Sequence, residues 1–217
     1  MSRAGERIFI EGGGGKIEVV VDRPLPREGT SNEATRGRLY DAARGVALIA
    51  HPHPLHGGTL DNKVVQTLAK TFVELGYVSM RPNFRGVGAS EGEHDEGRGE
   101  TEDLLRVAAH ARESLGELPL VLAGFSFGAA VQTQVAKRTS PHRVVLVGVS
   151  VGRFPSETVP ADSIVIHGER DETVPLARVL DWARPQELPV VVIPGADHFF
   201  HLRLHIIRNI VRDSWRS

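Results

Sequence analysis

The sequence predicts an α/β fold: a mostly parallel central sheet of about 7-8 strands with helices on both faces and an N-terminal antiparallel hairpin. Three observations predict it. From Gly45 onward, short apolar runs alternate with amphipathic stretches. The apolar runs are rich in Val, Leu and Ile and show no polar alternation, as strands buried on both faces require. Glycine and proline separate the two kinds of segment.

The elements follow in chain order. Arg7 to Glu11 and Lys16 to Val21 read as an edge hairpin joined by the turn Gly12-Gly13-Gly14-Gly15. Pro24 to Arg44, rich in Pro, Gly, Asn, Thr and charge, reads as an exposed connection holding a short strand at Arg38 to Tyr40. Val46 to Ala50 is the first inner strand, and Asn62 to Leu75 an amphipathic helix stopped by Gly76. Tyr77 to Arg81 is the next strand. A long loop, Pro82 to Gly99, which from Asn83 to Gly99 reads as turn-forming and substrate-facing, leads to the helix Glu100 to Leu115 with its acidic first turn.

Leu120 to Ala123 is a buried strand, and the helix after it runs to about Thr139. Arg143 to Gly148 and Ser163 to His167 are strands. Leu176 to Ala183 is a helix introduced by Pro175, and Pro189 to Ile193 is the last strand. Phe199 to Trp215 is expected to form the last helix, amphipathic through Leu202, Ile206, Ile207 and Ile210. Right-handed crossovers bring the loops at the strands' carboxyl ends to one edge of the sheet, where ligands bind in such folds.

A chain of 217 residues, 41% hydrophobic and 24% charged, suits one domain over residues 1–217. A net charge of −1 suggests neither nucleic acid nor an anionic membrane as partner. There is no cysteine, which excludes disulfides and a thiolate nucleophile. No apolar run approaches the ~20 residues of a membrane span, and no apolar segment follows the N-terminal residues as a signal peptide would need, so the expected compartment is cytoplasmic. Homo-oligomerisation is compatible with this composition.

The chemistry centres on Gly124-Phe125-Ser126-Phe127-Gly128, which fits the G-x-S-x-G pattern between a strand and a helix. The chain must turn sharply with Ser126 at the tip, and side chains at 124 and 128 would collide with strand and helix. The helix that starts beneath the serine offers its free N–H groups to developing negative charge, so Phe127 N–H is one expected oxyanion donor. A serine needs an imidazole base oriented by a carboxylate, placed after later strands. Asp171, in the turn after Ser163 to His167, fits as the acid. A purely capping role for it before the next helix is the alternative. His198, after the last strand, fits as the base. Glu169 and Asp162 are weaker acids by position, Asp197 is expected to brace its loop, and His201 to pack or be solvated.

Together, Gly124-Phe125-Ser126-Phe127-Gly128, His167-Gly168-x-x-Asp171 and Gly195-x-Asp197-His198-Phe199 resemble the α/β-hydrolase superfamily. His51-Pro52-His53-Pro54-Leu55-His56-Gly57-Gly58 and Arg81-Pro82-Asn83-Phe84-Arg85-Gly86 are similar to a group of small bacterial members of mostly unassigned substrate. The resemblance implies a serine esterase, thioesterase, dienelactone-hydrolase-like or peptidase activity with no cofactor. It assigns Ser126, His198 and Asp171 to the triad. The second oxyanion donor is then His53 N–H, with Leu55 as second choice, because Pro52 and Pro54 have no N–H. His56, Asn83 and Arg85 become substrate-pocket candidates, although Arg85 tied to an acidic neighbour such as Asp103 is the stronger reading of that residue. In many relatives a helical cap follows the strand after the elbow. Here only Gly152 to Asp162 are left for it, so an open, shallow site for short-chain esters or thioesters is expected.

Three alternatives stand beside this reading. A serine peptidase or amidase would use the same site. A binding protein would keep the fold without turnover. A metal hydrolase would use His51, His53 and His56, since residues i and i+2 of an extended chain share a side and imidazoles suit zinc. The acidic run Glu91 to Glu96 reads as a solvated loop and not a metal site.

Overall fold

The computed structural model describes residues 5–24 and 43–215. Eight strands form one sheet: β1 (Glu6–Gly12), β2 (Gly15–Asp22), β3 (Gly45–Ala50), β4 (Tyr77–Pro82), β5 (Leu120–Phe125), β6 (Arg143–Val147), β7 (Ile164–Gly168) and β8 (Val190–Ile193). Their spatial order is β1-β2-β4-β3-β5-β6-β7-β8. β1 and β2 pair antiparallel, as do β2 and β4, and every later pairing is parallel. The short strand expected at Arg38 to Tyr40 lies outside the described residues.

Among the described residues five α-helices cover the sheet: α1 (Lys63–Glu74), α2 (Arg98–Leu115), α3 (Phe127–Arg138), α4 (Leu176–Ala183) and α5 (Leu204–Asp213). Alternate residues of β3 divide the core. Val46, Leu48 and Ala50 join the cluster under α2, α3 and α4, while Ala47 and Ile49 join that under α1 and α5. Burial on both faces explains the apolar runs without polar alternation.

The ends of α1 and α2 show why the helices start where they do. Asn62 caps α1, its Oδ1 accepting from Val64 N–H at 2.9 Å. Glu100, fully buried, accepts Gly97 N–H at 2.9 Å and Asp95 N–H at 2.9 Å, and α2 begins two residues earlier than expected.

The last helix departs further from expectation. It starts at Leu204, and Leu202 is 95% exposed. Phe200 and Leu202 take φ of 53° and 58°, left-handed conformations that no α-helix continues through. Phe200 buries its ring against Phe125 instead, 6.4 Å between centroids, and the hydrophobic spacing of Leu202 is coincidental. Between β6 and β7 the chain forms a single bridge, Val151 with Phe154, and no helix. No cap covers the carboxyl edge there.

Candidate active site

β5 delivers the elbow. Ser126 has φ 55° and ψ −116°, a conformation a non-glycine residue adopts only under constraint. Its N–H donates to Val147 O at 2.9 Å, and its carbonyl accepts from Ala130 N–H at 3.1 Å and Ser150 N–H at 3.2 Å. A Cβ on Gly124 would come 2.7 Å from Ala129 N, and one on Gly128 2.4 Å from His51 O. Both glycines are therefore required by close backbone approach. Gln132 ties α3 to the sheet, its Nε2 donating to Leu48 O at 2.9 Å and Ala123 O at 3.0 Å.

The loops after β7 and β8 are knitted together. Glu169 N–H donates to Ile193 O (3.1 Å), Arg170 N–H to Ala196 O (2.9 Å), and Gly195 N–H to Glu169 Oε2 (2.7 Å). Gly168 permits this contact, since a Cβ there would lie 2.6 Å from Ala196 O. Glu169 is thereby a loop brace. Asp162 meets Arg143 Nε through its backbone carbonyl, 3.2 Å away.

The knitted loops bring Asp171 and His198 to the serine. His198 Nε2 lies 2.9 Å from Ser126 Oγ, and His198 Nδ1 lies 2.6 Å from Asp171 Oδ2. The other carboxylate oxygen, Oδ1, accepts Val174 N–H at 2.7 Å. Asp171 does not cap α4, whose N-cap is Pro175; one of its oxygens braces the turn before that helix and the other meets the imidazole. All three residues are buried, and the His198 ring packs 5.1 Å from Phe125. Asp197 does not reach His198's partner; its carboxylate accepts from His201 Nδ1 at 2.5 Å, and that ion pair holds Asp197 well below the usual carboxylate range.

The loop after β3 also approaches Ser126. His53 precedes a 3₁₀ turn, Pro54–His56, and its carbonyl accepts from His56 N–H (3.1 Å) and Gly58 N–H (3.0 Å). Its ring lies 5.0 Å from that of Phe127, 4.6 Å from His56, 4.7 Å from His94 and 5.2 Å from Phe154. Desolvation, then the nearby His94, His56 and Arg153, lower its pKa to about 4. His53 Nδ1 accepts Leu55 N–H at 3.2 Å. The Leu55 N–H, the second-choice oxyanion donor, is thus engaged with the His53 ring.

His51 faces the other way. It is fully buried, its Nδ1 lies 2.6 Å from Pro52 O, and its Nε2 accepts Phe84 N–H at 2.9 Å. A carbonyl only accepts, so the proton is on Nδ1, and both nitrogens are engaged within the protein. The three-histidine metal set expected from the spacing is therefore not assembled, and no group of three or more metal-ligating side chains occurs among the described residues.

Burial lowers the His51 pKa from 6.5 to about 4. Above pH 6.5 the imidazole is neutral folded or unfolded, and contributes no pH dependence. As pH falls from 6.5 toward 4 only the unfolded chain takes up the proton, so stability falls across that window, by about 3 kcal/mol from this group. Urea unfolding at pH 7 and pH 4.5 checks this. The His51→Gln variant should be less stable at pH 7 yet lose less between the two pH values. Equal losses would refute the assignment.

Two of the pocket candidates are engaged within the protein, Arg85 in the expected tie to Asp103. Asn83 is buried with its amide spent on Glu18 Oε2 (2.7 Å) and Leu60 N–H (2.9 Å), bracing β2 against the loop after β4. Arg85 grips Asp103 through two 2.9 Å hydrogen bonds and also donates to Gly99 O at 3.0 Å. His56 stays exposed beside His53.

The structure adds residues that the sequence pattern missed. His94, from the supposedly solvated acidic loop, has its side chain 7% exposed, 2.9 Å from Glu100 and 5.3 Å from the Phe127 ring. Phe154 packs 4.7 Å from Phe127, with the Arg153 guanidinium 5.6 Å above its ring. The only available signal was position: both segments lie at carboxyl ends of the sheet.

The sheet order and the strained strand–turn–helix serine define the α/β-hydrolase class. The chain belongs to the serine aminopeptidase S33 family, whose model matches residues 50–179. A lidless α/β serine hydrolase of Xanthomonas campestris, XC6422, superposes with TM-score 0.87 at 33% identity over 100% of this chain and 95% of that one. An α/β serine hydrolase homologue of Coxiella burnetii gives TM-score 0.83 at 36% identity, covering 99% of each. An uncharacterized protein of Rickettsia prowazekii, RP471, is 30% identical over 77% of each chain.

Proposed function

We propose that this protein is a serine hydrolase cleaving small esters or thioesters through an acyl-enzyme. The observation that carries the reading is the continuous hydrogen-bonded line Ser126–His198–Asp171, at 2.9 and 2.6 Å, on a strained elbow. Ser126 Oγ attacks the acyl carbonyl as His198 Nε2 takes its proton. Asp171 holds the Nδ1–H tautomer and stabilises the imidazolium. His198 then protonates the leaving alcohol or thiol as the carbonyl–heteroatom bond breaks. Water, activated by the same imidazole, releases the acid. Phe127 N–H, in the first turn of α3, has no intrahelical acceptor and faces the developing oxyanion, and His53 N–H is the second donor. No cofactor takes part.

The family's description invites an aminopeptidase reading. An aminopeptidase must hold its substrate's α-ammonium with an available carboxylate. Beside His53 stand the Arg153 guanidinium and the exposed Glu96 carboxylate, so a peptidase or amidase reading stays the alternative to the ester or thioester one. The reading takes residues 1–217 as one hydrolase domain acting in the cytoplasm on a small diffusible substrate, without nucleic acid or membrane. A homo-oligomer is compatible with it. Among the described residues no helix is long and apolar enough to cross a membrane.

The absence of a cap between β6 and β7 sets an expected selectivity. A covered acyl pocket gains about 0.8 kcal/mol, roughly fourfold, per buried methylene. An open site gains little of this, so kcat/KM should stop rising beyond about four acyl carbons. Aryl esters from acetyl to decanoyl, each with and without chelator, test the reading. Chelator-insensitive turnover with that plateau is expected. A fourfold rise per methylene through the series would overturn the short-chain assignment, and loss of activity with chelator would overturn the serine mechanism.

A further inference from the structure

His167 is fully buried on β7, four positions before Asp171, and the proposed chemistry uses neither of its nitrogens. Its Nε2 lies 2.9 Å from Val174 O and 3.4 Å from Asp171 Oδ2. The carbonyl only accepts, so the proton is on Nε2. Nδ1 is then bare, and it has no hydrogen-bond partner. An imidazole in this state carries a desolvation cost that an apolar side chain of the same size would avoid. Such a cost at the base of the triad calls for a role.

Val174 supplies that role, because it is the residue that both groups share. Its carbonyl takes the His167 proton, and its N–H donates to Asp171 Oδ1 at 2.7 Å. The turn from Gly168 to Val174 is thus fastened at its far end to one side chain of β7. Gly168 itself is pressed against the β8 loop.

We propose that His167 is a positioning residue for the triad acid: its Nε2–H fixes Val174, whose N–H sets Asp171 Oδ1 and so turns Oδ2 toward His198. The proposal rests on the Ser126–His198–Asp171 reading. His167 touches no reacting atom and acts only through Asp171. Its neutrality belongs to the arrangement. Burial lowers its pKa, as does the nearby His198, against the opposing pull of Val174 O and Asp171. A charged His167, 3.4 Å from the same oxygen, would compete with the His198 imidazolium for the carboxylate.

Two variants separate positioning from packing. His167→Leu keeps the volume and removes the donor. His167→Gln places an amide N–H at similar reach. In His167→Leu, kcat should fall on the order of 10²-fold with KM little changed, the cost of a misplaced catalytic group. The acidic limb of kcat/KM should move to lower pH, because a poorly held carboxylate stabilises the His198 imidazolium less. The low-field proton resonance of the His198–Asp171 hydrogen bond should weaken or move upfield. His167→Gln should recover most of each change. A His167→Leu protein that melts like the wild type and keeps its kcat, acidic limb and low-field resonance overturns the proposal.

If His167→Leu does not fold, the wild-type protein decides. Imidazole ¹⁵N spectra at pH 7 should show His167 as the neutral Nε2–H tautomer. An Nδ1–H tautomer, or a cationic His167 at that pH, overturns it. These spectra need no turnover, whereas full ester hydrolysis by Ser126→Ala would sink the serine reading itself, so the two failures are distinguishable.

Discussion

Ser126→Ala will lose turnover of short aryl esters by at least about 10⁴-fold in kcat while keeping the fold. The substitution removes one oxygen and leaves the Cβ in place, so the φ of 55° is no more strained for alanine than for serine. His198 keeps its 2.6 Å bond to Asp171, and the β7 and β8 loops remain knitted through Glu169 and Arg170. The melting temperature should therefore shift by no more than a few degrees, consistent with about 1 kcal/mol for the lost hydrogen bond. What vanishes is the bond-forming atom, and no neighbouring hydroxyl is held by His198 to replace it. Steady-state kinetics of both proteins, with a fluorophosphonate label located by mass spectrometry, check the expectation. Retention of even about a hundredth of the activity would be far above the residue expected from oxyanion donors and binding alone. It would remove Ser126 as the nucleophile.

The meeting of Ser126, His198 and Asp171 was legible because the chemistry proposed for them restricts each residue's identity and the fold restricts its place. Gly124, Ser126 and Gly128 announce a turn that only small flanks permit, and Asp171 and His198 follow later strands. The sheet was legible from β3 onward for a related reason: strands buried on both faces cannot disguise their composition. Other features depend on contacts far apart in sequence. Asn83 reads as a polar loop residue until Glu18 of β2 claims its amide, whereas Asp103 as the acidic partner of Arg85 is legible from charge alone. His94 looks solvated within Glu91 to Glu96 until buried Glu100 and the rings of His53 and Phe127 enclose it. Leu202 obeys helical spacing yet lies in a left-handed turn, where tertiary packing of Phe200 outweighs periodicity. The Leu55 N–H is engaged by a contact only two residues long, with the ring of His53, which no hydrophobic pattern encodes.

The largest expected stability loss comes from Gly128→Ala. The added Cβ would lie 2.4 Å from His51 O and 2.6 Å from both Ala50 C and Ala50 O. All three are backbone atoms at the end of β3, an inner strand paired with β4 and β5, so no flexible side chain can give way. Either α3 lifts from the sheet or the β3 loop is pushed aside. Overpacking against rigid backbone costs at least about 3 kcal/mol, and more where neither neighbour relaxes. Gly13→Ala is the matched control, because a Cβ there meets nothing within 4 Å. It should stay within about 0.5 kcal/mol of wild type. Urea melts of the three proteins decide the point, and a Gly128→Ala protein as stable as the control would contradict the close packing of elbow on strand. The activity consequence differs in kind. Gly128 presses on the residue that opens the His51-Pro52-His53 loop, and it lies two positions after Ser126. Either relaxation separates Phe127 N–H from His53 N–H, so kcat should fall on the order of 10²-fold even where the variant is fully folded. A second glycine in the elbow then serves more than the turn: it sets how closely α3 approaches the loop after β3.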